Sequence, residues 1–382
     1  MDQAAGGVSQ AVNMMARYSK NLAITHEVVC LDDPQATFLK EYPFSIHALG
    51  SRKTSWSFHP ALFSWLEKHL SNYRFIIVHG LWQYQSLAVL RAIARHPEVI
   101  LYVMPHGMLD PYFQKAPERR LKAVRNSFFW HLIEKRLIKK ADGLLFTCQL
   151  ERELASQSFE GSYKPRQEHV IGLGIAPPPV RTAQMDIAFR LHVGIKPDIK
   201  YLLFLSRINP KKGVDLLVNG YLRLQKEIPD IPALVIAGPG METEYGVEIK
   251  KLAGENGTIF FAGMIAGDIK WGAFYSCEAF ILPSHQENFG IAVVEALACH
   301  KPALISDKVN IYEEVKNGNA GLVQQDDAEG TYLLLKQWME IPASQRQAMA
   351  QNARQTFEDK FEIEKTTSVL ADLLLCEGSL IK

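Results

Sequence analysis

The chain has 382 residues, 47% of them hydrophobic, and sets 42 Lys and Arg against 41 Asp and Glu for a net charge of +1. That length exceeds what one core usually organises and predicts two domains, while a near-neutral balance excludes a global field that would gather nucleic acid. No uncharged apolar stretch reaches the roughly 18 residues of a membrane span.

The opening MDQAAGG lacks the basic and apolar regions of a signal peptide, and Cys30, Cys148, Cys277, Cys299 and Cys376 are odd in number with no C-x-x-C spacing. Free, mostly buried thiols in a reducing, cytoplasmic compartment are therefore expected. In chain order, short β-rich apolar runs alternate with amphipathic helical stretches, the βαβ pattern of a parallel sheet covered on both faces. HEVVCL, FIIVHG, ILYVMPHG and GLLFTC predict strands in the first half, and YLLFLSRI, ALVIAGPG, IFFAG, AFILPS and PALISD predict strands in the second. Between the sets lies GLGIAPPPVRTAQ, whose three prolines cannot donate ladder hydrogen bonds. The boundary is placed near residue 180, giving a domain over 1–180, a second over 181–360, and a last helix over 361–382 that packs back on the first.

In open parallel sheets ligands bind beyond the carboxyl ends of strands. After YLLFLS come Arg207 and then Lys212 with Gly213, two cations suited to phosphate. After AFILPS comes HQENFGIAVVEALAC, in which Asn288, Phe289 and Gly290 precede a helix whose first amides, starting at Ile291, make an anion site. Glu287 precedes that helix and Glu295 lies on its second turn. Alone, such glutamates are more often helix-terminal charges than ligands, and the neighbouring cations shift the balance. AGPG at 237–240 lacks G-x-G-x-x-G and reads as a tight turn. No D-x-D and no His/Cys ligand spacing occurs, so side-chain cations and helix amides take the place of a metal clamp and no cofactor is expected.

These residues resemble glycosyltransferase family 4, retaining nucleotide-sugar transferases of the GT-B fold, over Gly6 to the C-terminus, and the Glu-x7-Glu spacing is the most specific element. The resemblance implies two Rossmann-like α/β domains with parallel sheets facing a central cleft, the first on the acceptor side and the second binding the nucleotide sugar. It implies that Glu295 holds the ribose hydroxyls, that Arg207 and Lys212 neutralise the diphosphate, and that amides around Phe289 and Gly290 touch the donor. It further matches Gly6 and Gly7 to a Gly-Gly loop, His106 in MPHG to a catalytic histidine, and ADGLLFTCQLERE to an Ala-Asp, strand, Thr and Glu stretch. GLGI at 172–175, where Asn-Gly-Val is usual, and Cys148, where Ser is common, depart from the pattern. Met264, after FFAG, is expected to present backbone to the base.

The implied reaction moves a hexosyl group from a nucleotide sugar, first a UDP-hexose such as UDP-glucose, to a saccharide or lipid-linked saccharide in exopolysaccharide or envelope polysaccharide synthesis. Double displacement and same-face attack both stay open; Glu287 fits donor positioning better than covalent attack. A catalytically silent sugar-nucleotide binder and a nucleotide-sugar epimerase are the alternatives. Residues 115–141 cluster nine Lys and Arg around Phe128, Phe129 and Trp130, either a solvated helix face or a peripheral contact with anionic lipid at the inner face of a membrane. Only MDQAA precedes Gly6, where the family has a strand, so the first strand of the first sheet is expected to be missing from this start.

Overall fold

A computed structural model describes residues 1, 6–19, 22, 24–116 and 119–378. The chain divides into two compact units, Met1–Gly174 with Ile363–Lys382, and Ile175–Glu362. Each is α/β, and among the described residues its strands pair in parallel.

In the first unit β3 (Phe75–His79), β4 (Ile100–Met104), β5 (Gly143–Phe146) and β6 (Glu168–Val170) form one sheet in sequence order, while β1 (Val28–Cys30) and β2 (Ile46–Ala48) pair with each other. Every residue of β4 is buried because both faces are covered. Leu101 and Val103 face a cluster with Leu66, Val89 and Leu137. Ile100, Tyr102 and Met104 face a second with Met15, Leu370 and Leu374, the alternation of a strand applied to two cores. That second layer is built by the helices Gly7–Ser19 and Ile363–Gly378, so the chain's last helix completes the first unit's core. Residues 2–5, on which the expectation of a missing strand falls, lie outside those described.

The second unit has six strands in the order β12–β11–β10–β7–β8–β9: β7 (Tyr201–Leu205), β8 (Ala233–Ala237), β9 (Ile259–Gly263), β10 (Ala279–Leu282), β11 (Ala303–Ser306) and β12 (Gly321–Gln324). From β7 the chain runs outward through β8 and β9, then returns to place β10 on β7's other side. The strand order therefore reverses between β7 and β10, the doubly wound arrangement that opens a crevice at the carboxyl ends of those two strands.

All nine strands expected from sequence form. The strands not anticipated are β2, β6 and β12, each at the end of its sheet's strand order and none of them buried throughout. An edge strand half open to solvent needs no continuous apolar run, and EHV or GLVQ carries none. The five cysteines are free, with Cys148, Cys277 and Cys299 buried as expected, but Cys30 half-buried and Cys376 exposed.

Candidate active site

Beyond β7 the backbone continues its ladder with β8, Ser206 N–H donating to Ala237 O and Ile208 N–H to Pro239 O at 2.8 Å, and this holds Arg207 exposed at the strand's end. The turn at Gly238 permits that approach, since a Cβ there would lie 1.8 Å from Ser206 O and its φ is +136°. Asn209 then caps a short 3₁₀ turn, Pro210–Lys212, by accepting from Lys211 N–H. Gly213, at φ +64°, redirects the chain into the helix Val214–Glu227, whose Leu217, Val218, Tyr221 and Leu224 bury one face.

The loop after β10 is tied to this turn. His285 N–H and Ser284 Oγ both donate to Lys211 O, at 2.9 and 3.0 Å, and Ser306 Oγ donates to Ser284 O at 2.6 Å. Glu287 N–H donates to Lys308 O and Glu287 O accepts from Asn310 N–H, so the residue sits in a backbone bridge with its carboxylate set by the sheet. Lys212, only 6% exposed, donates its Nζ to Glu287 Oε2. Gly290 (φ +75°) opens the helix Ile291–Ala298 with no side-chain cap, so amides of its first turn are not consumed by a capping residue.

Glu295 is engaged as well, because Lys270 of the helix Gly267–Ser276 donates to its Oε1 at 2.8 Å while lying 4.2 Å over the Trp271 ring. Each carboxylate of the Glu-x7-Glu pair thus carries its own lysine. The structure brings Lys212, Glu287, Asn288, Phe289, Gly290 and Ile291 together at the switch point, with Arg207 at the neighbouring strand end. Phe289 turns its ring inward, edge-on to Phe361 at 5.6 Å, leaving only its backbone for a ligand. Met264 is 69% exposed beyond β9.

Gly6, Gly7 and His106 belong to the first unit. Gly6 has φ +126° with open space around it, and Gly7 begins the first helix. His106 follows β4 at φ +53°, a left-handed conformation unusual for histidine, and its Nε2 lies 2.9 Å from Nδ1 of His79 at the end of β3. Glu151, 3% exposed, pins this turn by accepting from Gly107 N–H at 2.5 Å and from Thr147 N–H and Oγ1. Burial pushes His106 down to about 4, and burial with the neighbouring His106 and His26 holds His79 well below the imidazole range. Both rings are therefore neutral at pH 7. Glu134, 1% exposed on a π-helical turn, accepts from Trp82 N–H at 2.8 Å, and burial raises it to about 7.

Sequence reasoning missed Lys270, His79 and Glu134. The His-Gly pattern after a strand that matched His106 to the family occurs again at His79 in FIIVHG; nothing in sequence marks Lys270, whose role depends on which helix lies beside Glu295.

These shifts fix a pH dependence. A histidine whose folded pKa is depressed stabilises the fold above its ordinary value near 6.5, and that contribution is lost as pH falls from 6.5 toward about 4. His106 alone accounts for a loss on the order of 3 kcal/mol. Glu134, raised, acts oppositely as pH rises from 4.5 to about 7 and blunts part of the effect. Calorimetry of H106N, in which Asn tolerates the left-handed backbone, should show a shallower fall of melting temperature on acidification than wild type; identical slopes would contradict the assignment.

Solved structures that resemble the chain share its GT-B fold. Anabaena Alr3699/HepE, crystallised with UDP-glucose, superposes with a TM-score of 0.75 at 16% identity, covering 97% of this chain and 96% of that one. Family models cover both halves, residues 6–174 matching the glycosyl transferase 4-like domain and 188–356 the glycosyl transferases group 1. Together they indicate a GT-B glycosyltransferase of the GT4-like kind. Curated relatives include an uncharacterized glycosyltransferase MJ1607 of Methanocaldococcus jannaschii, 29% identical over 36% of this chain and 34% of its own length. A D-inositol 3-phosphate glycosyltransferase of Actinosynnema mirum is 25% identical over 62% of this chain and 56% of its own length. The chain thus spans between a third and somewhat over half of these relatives.

Proposed function

We propose that the protein is a retaining, metal-independent glycosyltransferase that moves a hexosyl group from a UDP-sugar, UDP-glucose or a close relative, to a saccharide or lipid-linked saccharide in exopolysaccharide or envelope polysaccharide synthesis. The observation that carries this reading is the meeting of Arg207, Lys212 and an uncapped helix N-terminus at the one point where strand order reverses. The UDP-glucose bound by the HepE protein supports the choice of donor.

Cleavage of the bond between the anomeric carbon and the diphosphate oxygen leaves its electron pair on the leaving group. Arg207, Lys212 and the amides from Gly290 onward supply fixed positive potential for that charge. Glu295 accepts from the ribose hydroxyls, exchanging or sharing its contact with Lys270, and the backbone at Met264 meets the base. The acceptor oxygen bonds to the anomeric carbon from the departing face as a diphosphate oxygen takes its proton. The pairing of Glu287 with Lys212 supports a positioning role for Glu287, since a carboxylate held by a buried ammonium is a poor nucleophile. In the first unit, neutral His106 is assigned to hydrogen bonding with a reacting sugar, its ring held by His79.

The test is acceptor-dependent release of UDP with formation of a new α-configured glycoside. Isomerised nucleotide sugar, or binding without turnover, would replace this reading by the epimerase or the silent binder. Because protein cations carry the leaving-group charge, activity should persist in excess EDTA; abolition by EDTA and restoration by Mg²⁺ or Mn²⁺ would contradict the metal-independent site.

A further inference from the structure

The helical run from Arg120 to Lys140 in the first unit has one face in the core and one face without any cover. Inward, Trp130 is fully buried and stacks on Phe159 at 4.1 Å and 7°, with Ile133, Leu137 and Ile138 beside it. Outward, Leu121, Val124, Phe128 and Leu132 are 89, 71, 63 and 46% exposed. Their spacing of three and four residues aligns them in one stripe along the helix surface. Four large apolar side chains so exposed in one line are a patch rather than scattered surface residues.

Charge decides what fits the patch. Lys122 and Arg125 lie exposed next to the stripe, Lys135, Arg136, Lys139 and Lys140 lie exposed where it ends, and the run's one carboxylate, Glu134, is buried facing inward. A surface that is apolar along its crest and cationic along its flanks matches the boundary of an anionic bilayer, where apolar side chains reach the acyl region and the cations meet lipid phosphates. A nucleic acid or other soluble polyanion would use the cations and leave Leu121 and Phe128 in water. Among the described residues no helix is long and apolar enough to cross a membrane.

We propose that the stripe Leu121–Val124–Phe128–Leu132, flanked by these cations, is the surface by which the first unit lies on an anionic membrane. This assigns the insertion to Leu121 and Phe128 and removes Trp130, which the sequence grouped with Phe128 and Phe129 but which the core consumes. The inference does not depend on the transfer reaction.

Co-sedimentation of the full chain with vesicles tests it. Wild type should sediment with vesicles of equal parts phosphatidylcholine and phosphatidylglycerol, remain in the supernatant with phosphatidylcholine alone, and release as salt rises from about 0.1 to about 0.5 M. L121Q/F128Q and K135E/R136E, all at exposed positions, should keep the wild-type melting temperature and each lower the partition coefficient about tenfold or more. Equal indifference of wild type to both vesicles would overturn the proposal. So would L121Q/F128Q binding as well as wild type, since the surface would then be a polyanion site; heparin competing equally against both proteins would be its signature.

Discussion

Replacing Lys212 or Arg207 by Ala should each lower turnover of the sugar nucleotide by two to three orders of magnitude, the scale of removing one preorganised group that stabilises transition-state charge. The two variants differ in what else they disturb. Lys212 is 6% exposed and its partner Glu287 is held in a backbone bridge, so K212A strands a partly buried carboxylate and should cost stability of about 3 kcal/mol as well. Arg207 is exposed, and among the described residues it forms no ion pair, so R207A should melt as wild type does. A turnover loss in R207A therefore reports on the leaving group and not on folding. Steady-state kinetics at saturating donor, with melting curves for both proteins, separates the two effects. Near wild-type turnover in both variants would remove the leaving-group assignment. Adding E287A to K212A should recover part of the lost stability, because the stranded charge goes with it, without recovering turnover.

Gly213→Ala should damage stability and turnover together. A Cβ at this position would lie 2.0 Å from the carbonyl oxygen of Pro283, and the backbone there has φ +64°. The clash is with main chain on both sides, in a place where the loops after β7 and β10 are stitched by Lys211 O, Ser284 and His285. Relief requires the two loops to part, at a cost of about 3 kcal/mol or more when left-handed strain and overpacking are combined. Parting them draws Lys212 away from Glu287, so any folded G213A protein should also lose donor turnover roughly as K212A does. Gly194→Ala is the matched control: φ is +75° but nothing lies within 4 Å of its Cβ, so it should pay strain alone and keep its turnover. Comparable melting temperatures and rates for G213A and wild type would show that the loops adapt.

The parallel-sheet architecture was legible because a strand covered on both faces must be apolar at every position. YLLFL, ALVIA and AFIL are such runs, and so is ILYVM in the first unit. The residues following those strands were legible for the same reason, since the carboxyl end of a parallel strand is where its ligand-facing loop begins. Arg207, Lys212 and Glu287 came from that rule, and His106 from the resemblance of MPHG to the family pattern.

What the sequence by itself determined is thus a set of strands and the residues at their ends. Only the tertiary structure decided which ends meet. That β10 lies against β7, rather than beyond β9, follows from the packing of six strands and their helices as a whole, and it brings Lys212 to Glu287 across 75 residues of chain. The same holds for Lys270 on Glu295 and for His79 against His106. It also holds for Trp130, whose aromatic neighbours Phe128 and Phe129 looked equivalent to it until one face of the helix was taken by the core. Burial pattern is a property each segment carries locally, whereas a pairing between side chains is a property of two segments, and it exists only once loop closure has been offset by the contacts that close it.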